Sequence, residues 1–116
     1  MQYLLLIYNE EASDIPFDSP EFGEVMAGYV AFGEEMTRNG SMLGGNALQP
    51  VATATTVRVR GEQIDTTDGP FAETKEQLGG YYLLECNDLD EAIAAAAKIP
   101  GAKNGCVEVR PVQTFD

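Results

Sequence analysis

The ionisable and aromatic groups of this chain gather in one stretch, Asp68-Gly69-Pro70-Phe71-Ala72-Glu73-Thr74-Lys75-Glu76-Gln77-Leu78-Gly79-Gly80-Tyr81-Tyr82. Its first three residues read as a turn: Asp bonds its own downstream backbone, Gly supplies unusual dihedrals and Pro fixes the next φ. Phe71 is then expected to plug the core. If residues 72 to 77 make one helical turn, Glu73 and Glu76 share a face. Together with Asp68 they form an oxygen set suited to a hard cation such as Mg²⁺. A solvated charged turn is the commoner fate of such acids, and no metal is assigned. Lys75 is the only Lys before Lys98; it would anchor a ligand carboxylate or a neighbouring acid.

Tyr81 and Tyr82 follow a Gly-Gly pair that signals a bulge or a close backbone approach. Alternation along a strand sends the two rings to opposite faces, one to the core and one to a cleft. A cleft phenol can donate to a developing oxyanion or serve as a general acid. Arg58, Arg60 and Arg110 are three of only four arginines, all in strand-like runs. They would clamp an anion or pair across strands with Glu85 and Glu108. This reading nominates Asp68, Glu73 and Tyr81 for chemistry, and Lys75, Glu76, Arg58 and Arg60 for ligand binding. The segment 68 to 77 is expected to be a turn plus a short helix bordering a pocket, with Asp68 holding the turn.

Composition limits what these groups can do. The chain has 116 residues, 44% of them apolar and 22% charged, so one domain with its own core is expected. Acids outnumber bases 19 to 7, a net charge of -12, and there is no His. Nucleic acid and anionic membranes are therefore not expected partners. His-based zinc sites, Ser-His-Asp triads and Cys-His dyads cannot be built. With no CxxC, GxGxxG or P-loop, no cofactor is expected. Cys86 and Cys106 read as two buried hydrophobes, the alternative being a disulfide between neighbouring strands. The opening apolar run, Tyr3 to Tyr8, is too short and too poor in bases for a signal peptide or membrane span, which implies a cytoplasmic protein.

The elements that must position these groups can be read in order. Residues 3 to 8 form a strand. Ser19 and Pro20 open a helix whose stripe is Phe22, Val25, Met26, Tyr29, Phe32 and Met36, ending at Gly40. Gly28 and Gly33 weaken that helix. A strand at 42 to 48 follows, then Thr53 to Arg60 turns at Gly61-Glu62 into Gln63 to Thr67, and Leu78 to Cys86 is the most strand-like run. Asp88 and Glu91 have the spacing of a capping box, and a last strand runs from Gly105 to Val112. The pattern β-α-β, hairpin, β-α-β predicts a ferredoxin-like α+β subunit, an antiparallel sheet with both helices on one face. Its other face would stay open and apolar, which predicts a homodimer through the sheet.

The Asp68 to Tyr82 stretch resembles the hallmark of the YCII-related proteins, the DGPF family. Tyr3 to Tyr8, Leu48-Gln49-Pro50, Ala54 to Arg60 and Val107 to Pro111 are similar to that family too. The resemblance implies a dimeric α+β barrel of ferredoxin-like subunits, sometimes associated with sigma factors. A related branch is proposed to use a His-Asp pair in the dimer cleft; the matching position here is Tyr29, so that base is missing. Two functions are then expected. One is a cofactor-independent cleft enzyme moving protons through Asp68, Glu73 or Tyr29 on a small polar or carboxylated molecule. The other is a non-catalytic dimeric module that binds a ligand or a protein such as a sigma factor.

Overall fold

The computed structural model describes residues 1–115. Strand β1 (Gln2–Asn9) alternates strictly, with Tyr3, Leu5 and Ile7 buried and Leu4, Leu6 and Tyr8 half-buried on the other face. The acidic stretch after it holds a 3-10 turn (Glu11–Ser13). Helix α1 (Pro20–Arg38) begins with Ser19 extended at the N-cap and Pro20 at the first helical position. The Ser19 hydroxyl, however, donates back to the Pro16 carbonyl at 2.8 Å and caps no helix amide. The helix closes in a Schellman turn: the Gly40 amide donates to the Thr37 carbonyl and the Ser41 amide to the Met36 carbonyl. Gly40 has φ 76°, which a residue without Cβ adopts at least cost.

Strands β2 (Met42–Ala47), β3 (Thr55–Arg60), β4 (Gln63–Asp68) and β5 (Gln77–Glu85) follow, with a 3-10 turn (Val51–Thr53) ahead of β3. Helix α2 (Leu89–Ala96) is capped by the Asp88 carboxylate, which accepts the Glu91 amide at 2.9 Å. A single turn, α3 (Gly101–Asn104), leads into β6 (Cys106–Pro111). The main sheet has the order β2-β5-β1-β6, antiparallel at every junction. Register places Tyr82 and Leu84 of β5 and Val107 and Val109 of β6 beside Leu5, Tyr3 and Ile7. Against that face pack Phe32 and Met36 of α1, three alanines of α2, and Ile99, forming the core. Gly79 is the extra residue of a bulge, since Ile7 pairs with Gly80 and Tyr8 with Leu78. The Gly-Gly pair signalled that irregularity.

The structure corrects the expected closure into a dimeric α+β barrel. Among the described residues the chain is an α+β fold with two open sheets, one of four strands and one of two. Strands β3 and β4 pair only with each other, so residues 55 to 68 carry their hydrogen bonds away into a separate ladder. Four strands then remain for the main sheet, and β2 and β6 are its free edges. The hairpin stands off the core: the Cα radius of gyration is 16.2 Å, against roughly 13 Å for a compact chain of this length.

Four local expectations also fail. Phe71 is 81% exposed and plugs nothing. Residues 72 to 77 form no helical turn, because local side-chain bonds capture the backbone. The Thr74 hydroxyl donates to the Glu76 carbonyl and the Gln77 amide group to the Thr74 carbonyl. Cys106 is exposed, and both cysteines are free. Arg110 pairs with Glu108 on its own strand rather than across strands, and Glu85 pairs with the N-terminal amine. No helix among the described residues is long and apolar enough to cross a membrane.

Candidate functional site

The apolar stripe of α1 divides into two halves with different fates. Phe32 and Met36 are buried in the core. Phe22, Val25, Met26 and Tyr29 instead wall a cleft of ≈ 640 Å³ whose opposite side is built by the ends of β1, β2, β5 and α3. That volume lies inside the range of small-molecule sites. The helix is held over the sheet at a close contact: a Cβ on Gly28 would lie 2.8 Å from Cγ of Pro100. One residue on, a Cβ on Gly101 would lie 2.9 Å from both the Tyr29 hydroxyl and Cγ2 of Ile7. Two glycines thus let the Pro100-Gly101 corner seat the Tyr29 phenol at the inner wall. Gly28, which periodicity leaves unexplained, has its reason there.

Tyr29 and Tyr82 are the phenols of the apolar floor. Burial pushes the Tyr29 hydroxyl above the ordinary phenol value, while a backbone hydrogen bond from Gly101 pulls it partly back. Burial raises Tyr82 as well, and the neighbouring Tyr29 adds to the shift. Both therefore stay protonated at neutral pH and act as hydrogen-bonding groups rather than bases. The rim is polar. Glu11 is half-buried; its Oε1 accepts the Val51 amide at 2.9 Å, and its own amide donates to Gln77 Oε1 at 2.9 Å. Asn9 Nδ2 donates to Asp14 Oδ1 beside it. A shallower groove of ≈ 790 Å³ runs along the far side of Tyr82, between α1 and β2. We take the first cleft as the site because both half-buried phenols and the polar rim converge on it.

The nominated residues scatter. Tyr29 and Tyr81 line the cleft. The Tyr81 ring, opposite Leu6 in the register, lies on the far face of the sheet, where its hydroxyl accepts from Asn46 Nδ2 at 2.9 Å. Asp68 ends the outlying hairpin; Glu73, Lys75 and Glu76 are exposed in the loop after it. Arg58 and Arg60 lie on the hairpin, Arg58 opposite Asp65. None of these six lines the cleft. Among the described residues, no group of three or more His, Cys, Asp and Glu could hold a metal ion. Sequence reasoning placed Phe22, Val25 and Met26 on one apolar stripe with Phe32 and Met36, and nominated neither Glu11 nor Asp14. No local signal separates a core stripe from a cleft wall; only the Gly28–Pro100 contact does.

The fold and site define a small α+β protein with a mainly apolar, acid-rimmed cleft beside an open sheet. The chain belongs to the YCII-related family: the YCII-related domain matches residues 1–116. It is 36% identical over 117 residues to an uncharacterized protein of Rhizobium meliloti (strain 1021), an alignment covering 99% of this chain and 94% of that protein.

Proposed function

We propose that the protein binds a small organic molecule in the cleft between α1 and the sheet. The observation that carries this reading is the cleft itself, an ≈ 640 Å³ space with an apolar floor, two half-buried phenols and a polar rim. Binding is favoured over turnover that needs a general base because the chain has no His and desolvation keeps the Tyr29 and Tyr82 phenols protonated. A fragment screen by thermal shift is the test, since a ligand of the folded state raises the melting temperature. Hits should lose their effect in Met26→Trp, which fills the cleft from a half-exposed position, while the basal melting temperature holds. An absence of hits, or hits indifferent to Met26→Trp, would refute the proposal.

A homodimer through the open sheet face belongs to the same reading. Leu4, Leu6, Tyr8, Tyr81 and Leu83 share that face, half-buried and without a covering layer. Light scattering at micromolar concentration should return twice the chain mass; a clean monomer would refute the dimer. Cytoplasmic placement accords with two free cysteines, one of them exposed.

A further inference from the structure

Charge separates the cleft from the rest of the ligand chemistry the sequence suggests. Among the residues lining it, Glu11 and Asp14 are acidic and none is Lys or Arg. Lys75, Arg58 and Arg60, the groups suited to a carboxylate, lie elsewhere on the loop and hairpin. Asp14 is exposed and Glu11 half-buried, while Phe22, Tyr29 and Tyr82 give the cleft a half-buried aromatic lining. A cleft whose walls carry one sign of charge in low-dielectric surroundings concentrates ligands of the other sign, and the whole chain, at -12, adds to that field.

We propose that the cleft selects a small amphipathic cation, its apolar or aromatic body on the Phe22–Tyr29–Tyr82 floor and its ammonium group at Glu11 and Asp14. This inference rests on the binding reading above and replaces a carboxylated ligand with its electrostatic opposite. The aromatic faces add cation-π attraction for any part of the charge that reaches them. Neither acid is spent by its structural bond. Glu11 gives one oxygen to the Val51 amide and Asp14 one to the Asn9 amide group, and each carboxylate has a second oxygen for a ligand.

Three probes of like shape test it: 2-phenylethylamine, 2-phenylethanol and phenylacetate, titrated into ¹⁵N-labelled protein. The Gly79 and Gly101 amides report on the cleft they line. The amine should shift both saturably, at least ten-fold tighter than phenylacetate, with the alcohol between them. Raising NaCl from 0.05 to 0.5 M should narrow the spread by screening. In the double variant Glu11→Gln, Asp14→Asn the amine should bind no better than the alcohol. That variant keeps both structural acceptors, and its melting curve should match the parent. Phenylacetate binding as tightly as the amine, or an amine preference surviving in the double variant, overturns the charge selection and leaves the cleft standing as a site. If none of the three probes moves either amide, the binding reading falls along with it.

Discussion

The Tyr82 ring rests on Phe32 with centroids 4.8 Å apart and planes inclined at 52°. Phe32 belongs to the closed core, at 3% exposure, while Tyr82 faces both the cleft and the outer groove. The pair is the partition between packed interior and ligand space, and a tilted aromatic contact of this kind adds about 0.5–1.5 kcal/mol beyond burial. Core and site are therefore coupled. Phe32→Ala should cost about 3–5 kcal/mol of unfolding free energy and enlarge the cleft, whereas Phe32→Leu should cost far less. Urea midpoints read both. Equal effects from the two substitutions would place the partition elsewhere.

The two inner glycines of α1 should respond oppositely to the same change. At Gly33 a Cβ meets nothing within 4 Å, so Gly33→Ala should stabilise by about 1 kcal/mol through helix propensity. At Gly28 the Cβ would stand 2.8 Å from Pro100 Cγ, closer than carbon atoms tolerate. Gly28→Ala should therefore lose stability despite the same propensity gain, and should disturb Tyr29 one residue on. Differential melting of the two variants checks the sign.

Alkaline pH should weaken the fold through the half-buried phenols of the cleft. Tyr29 and Tyr82 are both raised above the ordinary value of 10.0, first by burial. A phenol with a raised folded pKa holds its proton more tightly folded than unfolded. Its contribution is complete below pH 10 and is lost as pH climbs toward the folded value. Burial also raises the Cys86 thiol, which adds the same sign starting from its ordinary 9.0. Urea midpoints should hold up to about pH 9 and fall beyond pH 10, with Tyr29→Phe and Tyr82→Phe each flattening the fall. Unchanged slopes in both variants would assign the loss to other groups.

Element order was legible because local chemistry announces it. Ser19-Pro20 and Asn39-Gly40 bracket α1, Asp88 caps α2, and Gly79-Gly80 marks the bulge in β5. Strand partners were harder to read. Nothing in Thr55–Arg60 says that it pairs only with its hairpin mate rather than extending a barrel. The nominated residues do not come together, for a related reason. The eye goes to a run of ionisable groups, yet Glu73, Lys75 and Glu76 sit together only along the chain. The groups that do converge, Tyr29 with Glu11 and Asp14, are brought together by the crossing of α1 over the sheet.

What holds the hallmark turn is Gly69 rather than Asp68. The Gly69 amide donates to the Ala54 carbonyl at 2.6 Å, and its carbonyl accepts the Thr56 hydroxyl at 2.8 Å, tying the loop to the base of the hairpin. Its φ is 99°, so a side chain there costs about 1–2 kcal/mol. The Asp68 carboxylate makes no hydrogen bond among the described residues, so Asp68→Ala should be close to neutral, against the expectation that it anchors the turn. Because β3 and β4 share no ladder with the main sheet, damage at Gly69 should stay local. In Gly69→Ala the amides of residues 55 to 68 should exchange with solvent severalfold faster, while those of β1 and β5 keep their protection and the main melting transition moves little. Faster exchange across β1 and β5 as well would mean that hairpin and sheet unfold as one unit, and that the hairpin is no separate arm.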